Sequence, residues 1–573
     1  MKNSMMSNVV PVHFKRRYTW KNSTKRFTAQ PQKYFVPTAL SEIEAIVKQA
    51  TANKTQVRAV GSGHSFSDVA VGNGYLINLK KLNKIKSFPK DWLQTDKRNQ
   101  HENLVYVEAG ITIQAFNKKM NKRNLCLENM GAVDEQTLAG AISTGTHGTG
   151  IELPAMSGMV RSIIMVSHEG ETYRIEPSDG LMDKETYKDN EPGIILKQDD
   201  QWFNAALVNL GCFGVIYAYV VEVRPMYWLA ETKEIKNWSE VKRALLSKNW
   251  RNFLTTYEIP ERAKPRKERK WKKKWQGLGV KGNKVKVRAL SIIINPYRIN
   301  GKTENTCLIS RHIEVEEPKG FWKRNWHAIT RPWMYILIGG IFPFSYLFYR
   351  LTRGINKMTP GFMPLVIENT VKSLQDEIYV NKGHKVMFQG AEFIKLKAFD
   401  AEYAFAAEDN RKGAINAIDA IIEKAQSSKE ENKLFQTSPI GMRFVQSSPA
   451  YLTPESGRDV CYVDTPVLLG TQGASGLLDT FQDIFIKFGG VPHWGKVNNR
   501  FEGQGARLKE HYTDLAKWEA IFRKLNPLGI FSNNFSDRLG LGQLTLNKEK
   551  GTRKRRALSV DKGKAVYPDS PLV

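Results

Sequence analysis

Gly61-Ser62-Gly63-His64-Ser65-Phe66-Ser67-Asp68 follows a short β-rich run, Val57-Arg58-Ala59-Val60. A strand that ends in a Gly-Ser-Gly turn presents successive backbone N–H groups to one spot, and glycine lets the backbone approach closely with positive φ. Such a nest suits a phosphate. His64 stands at its tip, so the turn can hold a cofactor's pyrophosphate and set an imidazole beside the cofactor's ring. The spacing is not that of a Walker loop, because no Gly-Lys-Ser/Thr follows, nor of GxGxxG, because the third glycine is absent. A tight turn carrying a solvated histidine satisfies the same pattern, so the surrounding sequence has to decide.

A second cluster runs Gly131-Ala132-Val133-Asp134-Glu135-Gln136-Thr137-Leu138-Ala139-Gly140-Ala141-Ile142-Ser143-Thr144-Gly145-Thr146-His147-Gly148-Thr149-Gly150. It is rich in small and hydroxyl side chains and holds no Lys or Arg. Such a run predicts backbone packed against a flat polar ligand, with Ser and Thr hydroxyls as donors. A flexible linker would not place Leu138 and Ile142 at helical spacing. A third piece, Leu210-Gly211-Cys212-Phe213-Gly214-Val215-Ile216, opens a strand that continues through Val223.

In order, these three pieces resemble the FAD-binding domain of the vanillyl-alcohol-oxidase-type (PCMH-type) flavoproteins, in the branch of the aldonolactone and alditol oxidases. Further elements resemble the same branch: Val491-Pro492-His493-Trp494-Gly495-Lys496, Glu402-Tyr403, Pro439-Ile440-Gly441-Met442-Arg443-Phe444 and Leu525–Asn533. The likeness covers residues 33–540 and is poor through 226–390. It implies an α+β fold: a two-lobed FAD-binding domain with a mixed α/β substrate (cap) domain. It also implies FAD held by Gly61, Ser62, Gly63, His64, Ser65, Ser67, Gly131, Ala132, Thr137, Gly140, Ser143, Thr144, Gly145, His147, Gly148, Gly214, Val215 and Ile216. In this branch the histidine of the Gly-x-x-His-Ser turn commonly carries FAD covalently, which would be His64 here. No metal is implied.

Composition agrees. A chain of 573 residues with 41% hydrophobic content forms two or more domains. Its four cysteines, Cys126, Cys212, Cys307 and Cys461, make no CxxC pair, so neither a disulfide framework nor a zinc site is suggested, and a reducing compartment is favoured. Met1–Arg17 lacks the apolar stretch of a secretory signal. The formal charge of +29 is concentrated: Glu261–Trp275 contains nine Lys or Arg and two acids, and Lys548–Arg556 contains six and one. Basic runs beside tryptophan fit anionic lipid or nucleic acid, or a solvated loop. Trp333–Tyr349, 17 residues without a charge, favours lipid. It is short of the about 20 residues that span a bilayer and is interrupted by Gly339, Gly340 and Pro343. It reads as a monotopic membrane-dipping element or as an apolar cap over the active site, and no nucleic acid partner is expected. The corresponding location is intracellular, on the cytoplasmic side, with peripheral or monotopic membrane association.

The chain divides into a basic N-terminal arm (1–32), the FAD-binding domain (33–225), a substrate domain (226–510) with the basic and apolar insertions, a segment returning to the FAD domain (511–545) and a disordered basic tail (546–573). Ser41 with Glu44 three residues on reads as a capping box for a helix through Ala50. Ile113–Asn121 and Gly413–Lys424 read as helices and Val105–Ala109 as a strand.

The resemblance implies oxidation of a CH–OH group by hydride transfer to the flavin. Negative charge then grows on the substrate oxygen, and cations aimed there stabilise the transition state. Arg443 and Lys496 are nominated as those cations; both stand in otherwise uncharged surroundings, where an unpaired buried cation would be costly. The branch usually carries a glutamate two residues before this arginine, where this chain has Gly441. Glu402 is the candidate substitute acceptor. The loss of a carboxylate at 441 leaves room for a larger, more apolar alcohol. The function the resemblance implies is still an oxidase of a sugar lactone or polyol that passes electrons to O2 with release of H2O2; the resemblance also sets Gly131 near the flavin, and a glycine there leaves a path for oxygen. A membrane-associated dehydrogenase of a sterol-like alcohol with a quinone acceptor is the second expectation, and a lipid- or nucleic-acid-binding protein on a retained flavin scaffold the third.

Overall fold

Val160–Val166 and Val215–Glu222 are buried along almost their whole length, as befits strands covered on both faces. In the computed structural model they pair at the centre of a six-stranded sheet in the order 194–198, 172–176, 160–166, 215–222, 104–108, 85–86. A second sheet, in the order 14–15, 33–35, 75–78, 57–60, has its last three strands parallel and shares one apolar core with the first. The structure describes residues 12–541 apart from 261–271, 300, 302, 320–353, 355–357, 374, 376–377, 389–397 and 504. The apolar stretch 333–349, most of the basic run 261–275 and the tail 546–573 lie outside the described residues.

The remaining lobe is one eight-stranded sheet, antiparallel throughout, in the order 378–382, 228–237, 306–315, 289–294, 440–445, 460–468, 398–406, 491–492. Two long helices, Arg411–Asn432 and Ala474–Lys487, cover one face of its 398–406 and 460–468 strands. Ile415, Ile418, Ile422 and Leu478, Phe481, Phe485 are their buried stripes. Tyr403 and Phe405 point to that helical side, with ring centroids 5.0 and 6.2 Å from Phe485. Side chains alternate along a strand, so the even-numbered residues Asp400, Glu402 and Ala404 face the other way. The fold is thus α+β and two-lobed, as the sequence implied.

Three local expectations need correction. The N-terminal arm is not a free arm from residue 12 onward: Phe14–Lys15 pairs with the 33–35 strand, Trp20–Lys21 pairs with Thr28–Ala29, and Trp20 is buried. Aromatic residues spaced through the arm give it something to bury. The first long helix spans Leu40–Ala52 and is capped by Ala39, not Ser41. Glu42 reaches back to the Thr38 N–H at 2.7 Å, while Glu44 accepts from Thr172 Oγ1 in the neighbouring sheet. The helix at 413–424 extends further, to Arg411–Asn432. The segment after residue 511 returns to the first lobe: Trp518 Nε1 donates to Val208 O, and Val57 N–H donates to Ile530 O at 2.7 Å.

Candidate active site

The Gly61–Asp68 turn follows the 57–60 strand directly, and Gly63 adopts φ +73°, a conformation glycine takes without strain. Ser62 joins the two glycine-rich loops: its hydroxyl donates to Glu135 O at 2.8 Å and accepts from Thr137 N–H at 3.0 Å. Gly61 packs so closely on Thr137 that a Cβ there would fall 2.0 Å from Thr137 Oγ1. The second loop contains a short helix, Leu138–Ser143, with Leu138 and Ile142 buried beneath it. Between these loops and the large sheet lies a cavity of about 660 Å³, within the about 300–1,000 Å³ typical of small-molecule sites.

Gly61, Ser62, Gly63, His64, Ser65, Gly131, Ala132, Thr137, Gly140, Ser143, Thr144, His147, Gly214 and Ile216 line it. Ser67, Gly145, Gly148 and Val215 do not, each for a local reason. Ser67 turns its hydroxyl to Trp494 O at 2.7 Å, and Gly145 lies in the turn after the short helix with φ +74°. Gly148 sits against Asn129, and Val215 points into the sheet core. Of the expected hydroxyl donors, Thr144 bonds to Gly140 O at 2.9 Å and Ser143 lies 3.4 Å from Tyr219 Oη. Thr146, not singled out from sequence, lines the cavity with a buried hydroxyl that has no partner among the described residues.

Opposite the loops stands one face of the large sheet. Register builds it: Glu402 lies beside Asp464, Asp464 beside Gly441, and Arg443 one alternation away on the same face. Lys496 reaches in from the loop after Val491–Pro492, bonding to Asp400 Oδ2 at 2.5 Å and lying 3.2 Å from Glu402 Oε2. Arg443 Nη1 is 3.2 Å from both Glu402 Oε1 and Asp464 Oδ2, and His147 Nε2 is 3.5 Å from Glu402 Oε1. Both cations are tied to the loops opposite. Phe66 N–H donates to Gly495 O at 2.7 Å, next to Lys496, and Gly150 N–H donates to Phe444 O at 2.6 Å, next to Arg443.

Burial and mutual charge set the protonation states. Burial alone would raise Glu402, but Lys496, His147 and Arg443 hold it well below the usual carboxylate range. Asp400 is pushed up to about 7, by burial first and then by Asp464 and Glu402, against the pull of Lys496. Burial would lower Lys496, yet Asp400 and Glu402 keep it raised and charged. Burial takes His493 down to about 3 and also lowers His64, despite Glu135 at 3.7 Å. Sequence reasoning found Glu402, Arg443 and Lys496 but passed over Asp400 and Asp464. The Asp-Ala-Glu alternation at 400–402 was a legible signal for the first; the second depends on strand register.

The cavity also fits FAD by its own walls: two close-packed glycine loops, an unpartnered Thr146 hydroxyl beside them, and a bank of charge at the far end. Two protein families match this chain, an FAD binding domain over residues 31–176 and D-arabinono-1,4-lactone oxidase over residues 303–539. Along its length the chain is similar to FAD-linked aldonolactone oxidoreductases. L-gulonolactone oxidase of Mus musculus is 25% identical over 531 residues, 92% of this chain and 99% of that protein. L-gulono-1,4-lactone dehydrogenase of Mycobacterium tuberculosis is 25% identical over 520 residues, 91% and 98% of the two chains. The crystal structure of cholesterol oxidase from B. sterolicum shares the fold, with a TM-score of 0.64 at 14% identity over 93% of this chain and 98% of that one. Among the described residues no helix is long and apolar enough to cross a membrane.

The carboxylate missing at Gly441 is supplied from the adjoining strand. A Cβ at Gly441 would lie 1.8 Å from Asp464 Oδ1, so Asp464 occupies the space a side chain at 441 would take. The room expected there for a larger, apolar alcohol does not exist at this position, and neither the sterol-like nor the scaffold-only expectation is favoured.

Proposed function

We propose that this protein oxidises a CH–OH group of a sugar lactone with FAD and delivers the electrons to O2, releasing H2O2. The observation that carries the reading is the face of Asp400, Glu402, Asp464, Arg443 and Lys496 set across one cavity from the two FAD loops. Three carboxylates and two cations suit a small polyhydroxylated substrate, whose hydroxyls can satisfy them, far better than an apolar one.

Bound FAD supplies the hydride acceptor and the route by which the electron pair reaches dioxygen. His64, Ser65, Thr137 and Thr146 would hold it from the loop side. Arg443 and Lys496 orient the substrate and stabilise its oxygen as negative charge develops. Glu402, kept ionised, fixes both cations and the His147 ring in place. Asp400, poised by its raised pKa, is the group that receives the hydroxyl proton. Gly131, which projects no side chain into the cavity, keeps the wall open to a diatomic acceptor.

His64 is our choice for a covalent link to FAD. It lines the cavity and is held neutral by burial, so a ring nitrogen has a free lone pair. Acid precipitation separates the cases: colour in the pellet and a mass increase on the His64 peptide support the link, and free flavin in the supernatant opposes it. For the reaction itself, purified holoprotein given L-gulono-1,4-lactone or D-arabinono-1,4-lactone in air should form peroxide and consume lactone in equal amounts. Lactone consumption that requires an artificial acceptor, with no peroxide, would move the assignment to a dehydrogenase.

A further inference from the structure

Asp464 stands in the middle of the charged wall with one oxygen committed and the other free. Its Oδ2 lies 3.2 Å from Arg443 Nη1. Its Oδ1 has no hydrogen-bond donor among the described residues, although the side chain is only 9% exposed. In the other two carboxylates each oxygen has a protein partner: Asp400 has Lys496 and the Thr465 N–H, and Glu402 has Lys496, Arg443 and His147. A buried carboxylate oxygen left without a donor is costly even when its twin is paired. An oxygen held in that state beside a cavity calls for a donor from whatever fills the cavity.

The sheet is arranged to keep it there. Asp464 is directly opposite Glu402 on one side and Gly441 on the other. Any side chain at 441 would displace the carboxylate, since even a Cβ would fall 1.8 Å from Oδ1. Gly441, Arg443 and Asp464 all line the cavity. The carboxylate torsion is broad and roughly two-fold, so a turn about Cβ–Cγ brings free lone pairs to the cavity with no movement of the strand.

We infer that Asp464 is a specificity-determining residue, accepting a hydrogen bond from a substrate hydroxyl other than the one oxidised. The ligand class is a polyhydroxylated lactone, and the inference rests on the lactone reading above. A site built to bond a hydroxyl discriminates strongly against the analogue that lacks it, because its own polar group is then left unpaired.

The test is anaerobic flavin reduction by the FAD-loaded protein. The wild type, Asp464→Ala and the volume-filling Asp464→Leu are each mixed with L-gulono-1,4-lactone and with analogues lacking one ring hydroxyl. The wild type should lose about 100-fold or more in reduction efficiency on one particular analogue. Both variants should lose a comparable factor on the full lactone and should no longer distinguish it from that analogue. A flavin spectrum unchanged between wild type and variants shows that the site is still assembled. Variants that discriminate as strongly as the wild type overturn this inference alone. A wild type whose flavin is reduced by no hydroxylated lactone overturns the lactone reading and this inference with it.

Discussion

Lys496 and Asp400 form the pair on which the chemistry turns. Lys496 is held charged by Asp400 and Glu402, and its ammonium is the cation nearest the proton acceptor. Lys496→Met keeps the stem and removes the charge. We expect it to slow flavin reduction by about 10²–10³-fold, the range seen when one transition-state donor is lost, with FAD content unchanged. Unchanged reduction kinetics would remove Lys496 from the mechanism. Asp400 supplies a pH signature. Its pKa is raised, so it sheds its proton only as pH climbs through about 7, and only the ionised form can accept the substrate's proton. The limiting reduction rate should therefore rise with pH through a value near 7 and flatten above it. Asp400→Asn should abolish that limb, and a profile that keeps it in the variant would point to another base.

At the scale of elements, the legible parts were those whose meaning is local. The Gly-Ser-Gly-His turn, the small-residue loop and the helix between them depend on residues a few positions apart. The helical spacing of Leu138 and Ile142 already spoke against a linker, and the two residues lie on a short helix. The start of the first long helix was misread because Ala39, with no side-chain cap, stands at the cap position assigned to Ser41, and Glu42 rather than Glu44 reaches back to the preceding N–H. Asp464 was not legible, because its meeting with Glu402 and Gly441 is set by the pairing of strands far apart in sequence. The contact of the N-terminal hairpin with the His64 turn was equally hidden, because it joins residues some forty positions apart. Ser23 and Thr24 at its tip line the cavity, Ser23 N–H donates to Gly63 O at 2.8 Å, and Asn22 Nδ2 donates to Ser65 O at 3.0 Å. The hairpin clamps the His64 turn from outside. Deleting residues 1–30 should leave a folded chain with weakened FAD retention. Equilibrium dialysis against FAD would show it, and unaltered retention would deny the hairpin that role.

Across the whole molecule, the C-terminal segment closes the first lobe through one buried cation. The Arg58 guanidinium donates to Val69 O at 2.7 Å, Gly211 O at 3.1 Å, Leu210 O at 2.5 Å and Phe531 O at 3.0 Å, joining three stretches of chain. Arg58→Leu leaves those carbonyls without their donor and should cost at least about 3 kcal/mol, seen as an earlier thermal transition and early loss of flavin. A transition unmoved by the substitution would mean the segment is held by its apolar contacts alone. The same long-range closure sets the active site: the Phe66–Gly495 and Gly150–Phe444 bonds bind the FAD loops to the strands that carry Lys496 and Arg443.

The most direct test is a single anaerobic mixing of the yellow holoprotein with L-gulono-1,4-lactone or D-arabinono-1,4-lactone, followed at the visible flavin band. The account predicts that the band bleaches in a saturable, lactone-dependent phase and returns when air is admitted, with peroxide formed. A protein that emerges colourless and takes up no FAD, or one whose flavin stays oxidised with every lactone, would contradict it.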